Sequence, residues 1–200
     1  MKDYKIDQSS IIEYGVTIGS GTIIWDNCQI RTNAQIGIGV MIGRNVFIDH
    51  NVRVGNYTRV QNNSLIYFPS ILEEQVFIGP GVILTNDKYP RSSRIQKAHS
   101  DFVGWELAPI HIKQGASLGA GVICVGPLII SEWSMVAAGS TLTRDTVPFG
   151  LYVGSPAKRV GWVGHEGHTL KQQGNSIIYL CPKSNRTYME VRLNCLEEIL

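Results

Sequence analysis

The chain has 200 residues, 44% of them hydrophobic and 17% charged, and a formal net charge of +2 at neutral pH. That length suits one domain with an appendage and enough apolar material for a continuous core, while a charge so near balance argues against a polyanion-binding surface, so no nucleic-acid partner is expected. No apolar run reaches the length of a membrane span, and Met1-Lys2-Asp3-Tyr4 lacks the apolar centre of a signal peptide; no membrane insertion and a cytoplasmic location are expected.

From Ile6 to Leu84 every sixth residue is aliphatic in one unbroken phase, through Ile12, Ile18, Ile24, Ile30, Ile36, Ile42, Ile48, Val54, Val60, Ile66, Leu72 and Ile78. Four residues after most of these stands a small or β-branched residue, such as Thr22, Cys28, Ala34, Val40, Thr58 and Ser64. Six residues fit neither a 3.6-residue helix nor plain alternation. They fit a short strand followed by a corner, with Gly, Asn and Asp at the corners and each aliphatic and small pair turned inward. Three faces per coil then stack residues eighteen apart at the strand spacing of ~4.8 Å. The phase is lost between Thr85 and His111 and returns as Ile112, Leu118, Cys124, Ile130, Val136 and Leu142, so a loop over 85–111 interrupts one solenoid.

Of the four cysteines, Cys28 and Cys124 fall on inward positions, where a thiol acts as a small hydrophobe, and no disulfide framework is expected. After Gly161 the period ends. Leu170, Ile177–Leu180 and Tyr188–Leu193 read as short strands, with turns at Gly174-Asn175 and Lys183-Ser184-Asn185, and this tail over 162–200 would cap the open end of the solenoid. His165, His168, Cys181 and Cys195 raise a zinc reading, but Ser184 stands where a second Cys would complete Cys-Pro-x-Cys, and a metal-free cap is expected.

The hexads, from about residue 6 to 147, resemble the hexapeptide repeat of the bacterial acyltransferases, and this resemblance implies a left-handed parallel β-helix over 1–161. The general preference for right-handed crossovers would have given the opposite hand. Further segments resemble one branch, the N-acetyltransferases that acylate an amino sugar attached to a nucleoside diphosphate. They are Val60-Gln61-Asn62-Asn63 with Tyr67, Thr85-Asn86-Asp87-Lys88-Tyr89-Pro90-Arg91-Ser92, Gly115-Ala116-Ser117-Leu118-Gly119-Ala120, and Val153-Gly154-Ser155-Pro156-Ala157-Lys158 before Gly161-Trp162. The enzymes resembled act on UDP-linked 2-acetamido-3-amino-glucuronate and on dTDP-linked 3-amino-6-deoxyhexoses.

The resemblance implies transfer of acetyl from acetyl-CoA to the amine of a UDP- or dTDP-linked 3-amino sugar, for surface polysaccharide, by a homotrimer with active sites between subunits and no metal. Asn86 would position the amine, and Gln61, Tyr67, Asp87 and Arg91 would hold the nucleotide sugar. Ala120 and Ala138 would line the pantetheine arm, with Lys158 and Arg159 supplying cations for the phosphates. Chemistry supports Asn rather than His at the start of the loop. An amine of pKa ~8 is partly unprotonated at neutral pH and needs orientation more than a base. His50 is the rival base, since the eighteen-residue rule places it in one column with Phe68 and Asn86, ~10 Å from Asn86. His99 and His111 are lesser candidates in the loop. The competing readings are sugar O-acetylation with a His base, a γ-type carbonic anhydrase, which needs three His ligands on zinc, and a non-catalytic scaffold.

Overall fold

The computed structural model describes residues 3–91 and 106–199. Twenty strands of two or three residues, from Lys5–Ile6 to Thr141–Leu142, wind into a parallel solenoid of about seven turns. Each coil lays one strand on each of three faces. The first face carries the strands beginning at Lys5, Ile23, Met41, Arg59, Phe77, Ser117 and Met135; the second, those beginning at Ile11, Gln29, Phe47, Leu65, Ile83, Ile123 and Thr141; the third, those beginning at Thr17, Gln35, Arg53, Ile71, Ile110 and Leu128. All pair in parallel, and the register follows the period: Ile6 opposes Ile24, Ile12 opposes Ile30, and Ile18 opposes Ile36, eighteen residues on. Across the loop the step lengthens from eighteen to forty residues while inward residues still oppose inward ones, as Leu72 opposes Ile112, Ile78 opposes Leu118 and Leu84 opposes Cys124.

The inward aliphatics Ile30, Ile42, Ile48, Ile66, Ile78, Leu84, Ile112 and Leu118 stack along the three faces and are fully buried in one core, each stabilising the fold by roughly 1.5–3 kcal/mol relative to exposure. The small residue of each pair fills the corner and serves its backbone. Thr22 Oγ1 donates to the Gly37 carbonyl at 2.8 Å and accepts from Val40 N at 3.1 Å, and Thr58 does the same with the Glu73 carbonyl and Val76 N. A buried hydroxyl here satisfies groups that a bend would otherwise leave without partners. Corner residues Asn27, Asn33, Asn45, Asn51 and Asn63 all lie in the left-handed region, with φ between 55° and 61°, which Asn adopts more readily than other side-chain-bearing residues. Cys28 and Cys124 are buried, and burial pushes the Cys124 thiol up to about 12.

The last coil is closed by a hairpin. Gly150–Gly154 pairs in parallel with Met135–Val136, and Ala157–Trp162 folds back antiparallel upon it. Beyond it, Lys171–Gln172, Ile178–Leu180, Thr187–Arg192 and Cys195–Glu198 form a four-stranded antiparallel sheet. Its fourth strand follows a turn in which Asn194 has φ 63°, a turn that the apolar pattern of the tail does not announce. Phe149, Trp162, Leu170, Cys181, Tyr188 and Leu196 form a second, smaller core. His165, weighed above as a zinc ligand, instead pairs with Glu198 at 2.7 Å and meets the rings of Trp133 and Phe149 edge-on, tying the tail to the last coil.

Candidate functional site

The site residues expected from sequence divide between two corner ridges that border the second face. The ridge between the second and third faces carries Asp49-His50, Tyr67-Phe68 and Thr85-Asn86 in successive coils. The His50 ring stacks on Phe68 with centroids 4.6 Å apart, and Asn86 Nδ2 donates to the Phe68 carbonyl at 2.8 Å. His50, Phe68 and Asn86 thus form one column. Because its amide nitrogen is engaged, Asn86 has its carbonyl oxygen left as an acceptor, and its side chain is held at the base of the loop, where Ala108 N also donates to the Asn86 backbone carbonyl.

Asp49 belongs to this column and is missing from the sequence reading. Its side chain is only 10% exposed. It accepts from His50 N and pairs with His50 Nδ1, both at 2.8 Å, and it accepts from Arg31 and Phe68 N at 3.3 Å. Burial pushes its carboxyl up, but the bonds from the His50 side chain and backbone and from Phe68 outweigh that, and the net shift is downward. With Asp49 at Nδ1, the Nε2 of His50 lies on the far side of the ring from the carboxylate, and the tautomer that donates from Nδ1 would present Nε2 as an acceptor, an arrangement competent for proton transfer. The signal was available in sequence: Asp49 follows inward Ile48 directly at a corner, with Arg31 one coil below.

Tyr67 tilts against Phe47 on the second face, with ring centroids 5.4 Å apart. Asp87 accepts from Tyr89 N at 2.8 Å, closing a turn that starts the loop, and it forms an isolated antiparallel bridge with Leu107, ahead of the strand Ile110–Ile112. Arg91 is exposed at the edge of the described segment, and Ser92 and His99 fall outside the described residues. His111 lies elsewhere, its Nε2 2.8 Å from Glu73 on the third corner beside Lys113 but without hydrogen-bond alignment to it. Among the described residues no three His, Cys, Asp or Glu side chains converge where an ion could sit, and no helix is long and apolar enough to cross a membrane.

The ridge between the first and second faces carries Gln61-Asn62, Gly79-Pro80, Gly119-Ala120 and Ala137-Ala138. Ala120 and Ala138 are exposed and stacked, with Gly139 N donating to the Ala120 carbonyl at 2.8 Å. The coils pass so closely here that a Cβ on Gly119 would stand 2.5 Å from Ala138 N, and one on Gly79 2.7 Å from Ala120 N. A low wall of small residues results. Asn62 is used within the corner, accepting from Arg44 N at 3.0 Å. The closing hairpin continues this ridge, because Ala137 N bonds to the Tyr152 carbonyl and Gly154 N to Ser140 Oγ. It leaves Lys158 exposed beyond Ala138. Arg159, expected beside Lys158 on the phosphates, has its guanidinium 4.0 Å over the Trp162 ring and bonded to Asn194 at 2.7 Å, so it is engaged with the tail.

No protein-family model matches the chain. Over 72 residues it is 40% identical to dTDP-3-amino-3,6-dideoxy-α-D-galactopyranose 3-N-acetyltransferase of Aneurinibacillus thermoaerophilus, a match that covers 36% of this chain and 38% of that enzyme. The chain spans about two fifths of the length of the curated relatives it matches first. Among solved structures it is similar to a hexapeptide-repeat acetyltransferase of Vibrio cholerae complexed with acetyl coenzyme A, with a TM-score of 0.50, 19% identity, and coverage of 74% of this chain and 71% of that one. A variant of AntD, an N-acyltransferase of Bacillus cereus in complex with dTDP and coenzyme A, gives a TM-score of 0.50 at 17% identity over 82% of this chain and 84% of that one. In fold, this chain is therefore a left-handed parallel β-helix of the hexapeptide-repeat type.

Proposed function

We propose that the protein is an acetyl-CoA-dependent N-acetyltransferase that acylates the amine of a nucleotide-linked 3-amino sugar. The observation that carries this reading is the fixed amide of Asn86: its nitrogen is bound to the Phe68 carbonyl, and its oxygen, which accepts no hydrogen bond among the described residues, stands at the base of the loop. Such an oxygen accepts one N–H of a neutral amine and aims the nitrogen lone pair at a thioester carbonyl. The C–N bond forms as the C–S bond breaks, a backbone amide steadies the oxyanion, and the coenzyme thiolate takes the proton from nitrogen. The named activity of the Aneurinibacillus relative and the coenzyme bound by both fold neighbours support the reading.

The pantetheine arm would run along the small-residue ridge past Ala120 and Ala138, with Lys158 at the phosphates. Gln61, Tyr67, Asp87 and Arg91 would take the nucleotide sugar, UDP- or dTDP-linked, in a cytoplasmic pathway for surface polysaccharide. Since the Asn86 column and the Ala120 ridge lie on different corners of one chain, the proposal includes a homotrimer in which the column of one copy faces the ridge of the next. One observation favours a second reading, sugar O-acetylation. The Asp49–His50 pair would supply the base that a hydroxyl nucleophile requires. Incubating the protein and acetyl-CoA with UDP- and dTDP-linked sugars bearing either an amine or only hydroxyls, followed by mass spectrometry, decides between them. An N-acetyl product supports the proposal, an O-acetyl product the alternative, and no product on any acceptor refutes both.

A further inference from the structure

Below Gln61, the ridge between the first and second faces opens into a hollow lined by Trp25, Asp26, Met41, Gly43, Arg44, Gln61 and Asn62. We propose that this hollow binds the nucleoside diphosphate of the acceptor, with Trp25 stacking on the base and Arg44 gripping the diphosphate. The inference rests on the proposed transfer to a nucleotide-linked sugar and identifies where its nucleotide lies.

Trp25, Gly43 and Gln61 occupy the same corner position in three successive coils, so the hollow extends ~10 Å along the axis, a span that a base, ribose and diphosphate fill. At its lower end Trp25 is 51% exposed. A large aromatic surface left to water at a concave position suits a flat partner, since every nucleobase has a face to stack. In the middle, Gly43 leaves the floor as bare backbone, because a Cβ there would collide with Asn62 Oδ1. Arg44 reaches across this floor, and its guanidinium lies 3.4 Å from Asp26, the two side chains being 53% and 40% exposed. An ion pair that open contributes little, so a diphosphate can take over the planar fork of Arg44 at small cost. At the upper end the Gln61 carboxamide makes no hydrogen bond among the described residues and is available for sugar hydroxyls. Above Gln61 the wall of Gly79, Ala120 and Ala138 begins. One ridge then orders base, diphosphate, sugar and thioester arm in sequence, with the reactive amine and acetyl group meeting near Gly79.

Calorimetric titration of the full chain with UDP, dTDP and CoA tests this, using wild type, Trp25→Ala, Trp25→Phe and Arg44→Ala. The expected result is that UDP or dTDP binds about tenfold or more weakly to Trp25→Ala and to Arg44→Ala, and within about threefold of wild type to Trp25→Phe, while CoA affinity is unchanged in all. Variants that bind the nucleotide as wild type does, in a protein that still acetylates a nucleotide-linked amine, would overturn the subsite and leave the activity standing. Loss of CoA together with the nucleotide would mark Trp25 and Arg44 as assembly contacts and overturn it as well. A wild type that neither binds UDP or dTDP nor acetylates any nucleotide sugar would remove the underlying activity.

Discussion

Replacing Asn86 separates orientation from proton abstraction. The Asn86→Ala variant loses one half-buried hydrogen bond, the 2.8 Å contact to the Phe68 carbonyl, worth about 1 kcal/mol net, so the melting temperature should fall by only ~2–4 °C in a chain of this size. Activity should fall much further. Without the carbonyl oxygen the amine is no longer aimed, and misplacement of that order lowers the rate by about 100-fold, or ~2.7 kcal/mol of transition-state stabilisation. Asn86→Asp goes further, because a carboxylate beside the amine favours its charged form and raises its pKa. The alkaline rise of the pH–rate profile should then move to higher pH, with activity partly recovered there. Thiol release from acetyl-CoA, followed with a chromogenic reagent at saturating coenzyme, gives kcat and KM for the acceptor across pH. Full activity in Asn86→Ala, or an unshifted profile in Asn86→Asp, would refute the positioning role, as would a 100-fold loss on His50→Ala with Asn86→Ala near wild type.

Asp49→Ala removes a buried carboxylate that serves His50, Phe68 and Arg31, and chemical denaturation should show a loss of about 2–3 kcal/mol; equal stability of variant and wild type would contradict the assigned bonds. The Glu13 carboxyl, held by the Thr32 hydroxyl and backbone N–H, is lowered from 4.5 to about 2. Its folded value lies below the unfolded one, so its contribution is present above about pH 4.5 and is lost as pH falls towards 2; melting temperatures over that window should decline less steeply in Glu13→Gln. Gly119→Val would drive a side chain into the Ala138 backbone, and circular dichroism should report a protein that melts many degrees lower or does not fold. Lys158→Ala should weaken CoA binding severalfold, whereas Arg159→Ala should leave CoA affinity unchanged and lower stability by about 1 kcal/mol through loss of its contact with Trp162.

Most of the coiled architecture is written in the hexads, because each inward aliphatic must stack on its counterpart eighteen residues away and no other register buries all of them. The column of His50, Phe68 and Asn86 follows from the same arithmetic. The period cannot say what a corner side chain does once it gets there. Asp49 binding the His50 ring, Arg159 turning to Trp162 and Asn194, and Asn62 accepting from Arg44 N in the coil below are choices among nearby partners. The hollow at Trp25 and Arg44 is equally silent in sequence, because it depends on Gly43 lying between two larger corners. In the tail no period operates, and the strand Cys195–Glu198 is hidden by a two-residue turn at Leu193-Asn194.

The lengthened step at Leu72–Ile112 gives the solenoid one seam. Between the other strands of the twenty a new coil docks by closing a segment of eighteen residues, whereas crossing the seam means closing forty, which adds about 0.7 kcal/mol of chain entropy. Growth from either end should therefore stall at that joint and complete it late. Because closure cost grows so slowly with length, the insertion between the two coil stacks should tolerate changes in length with little effect on either.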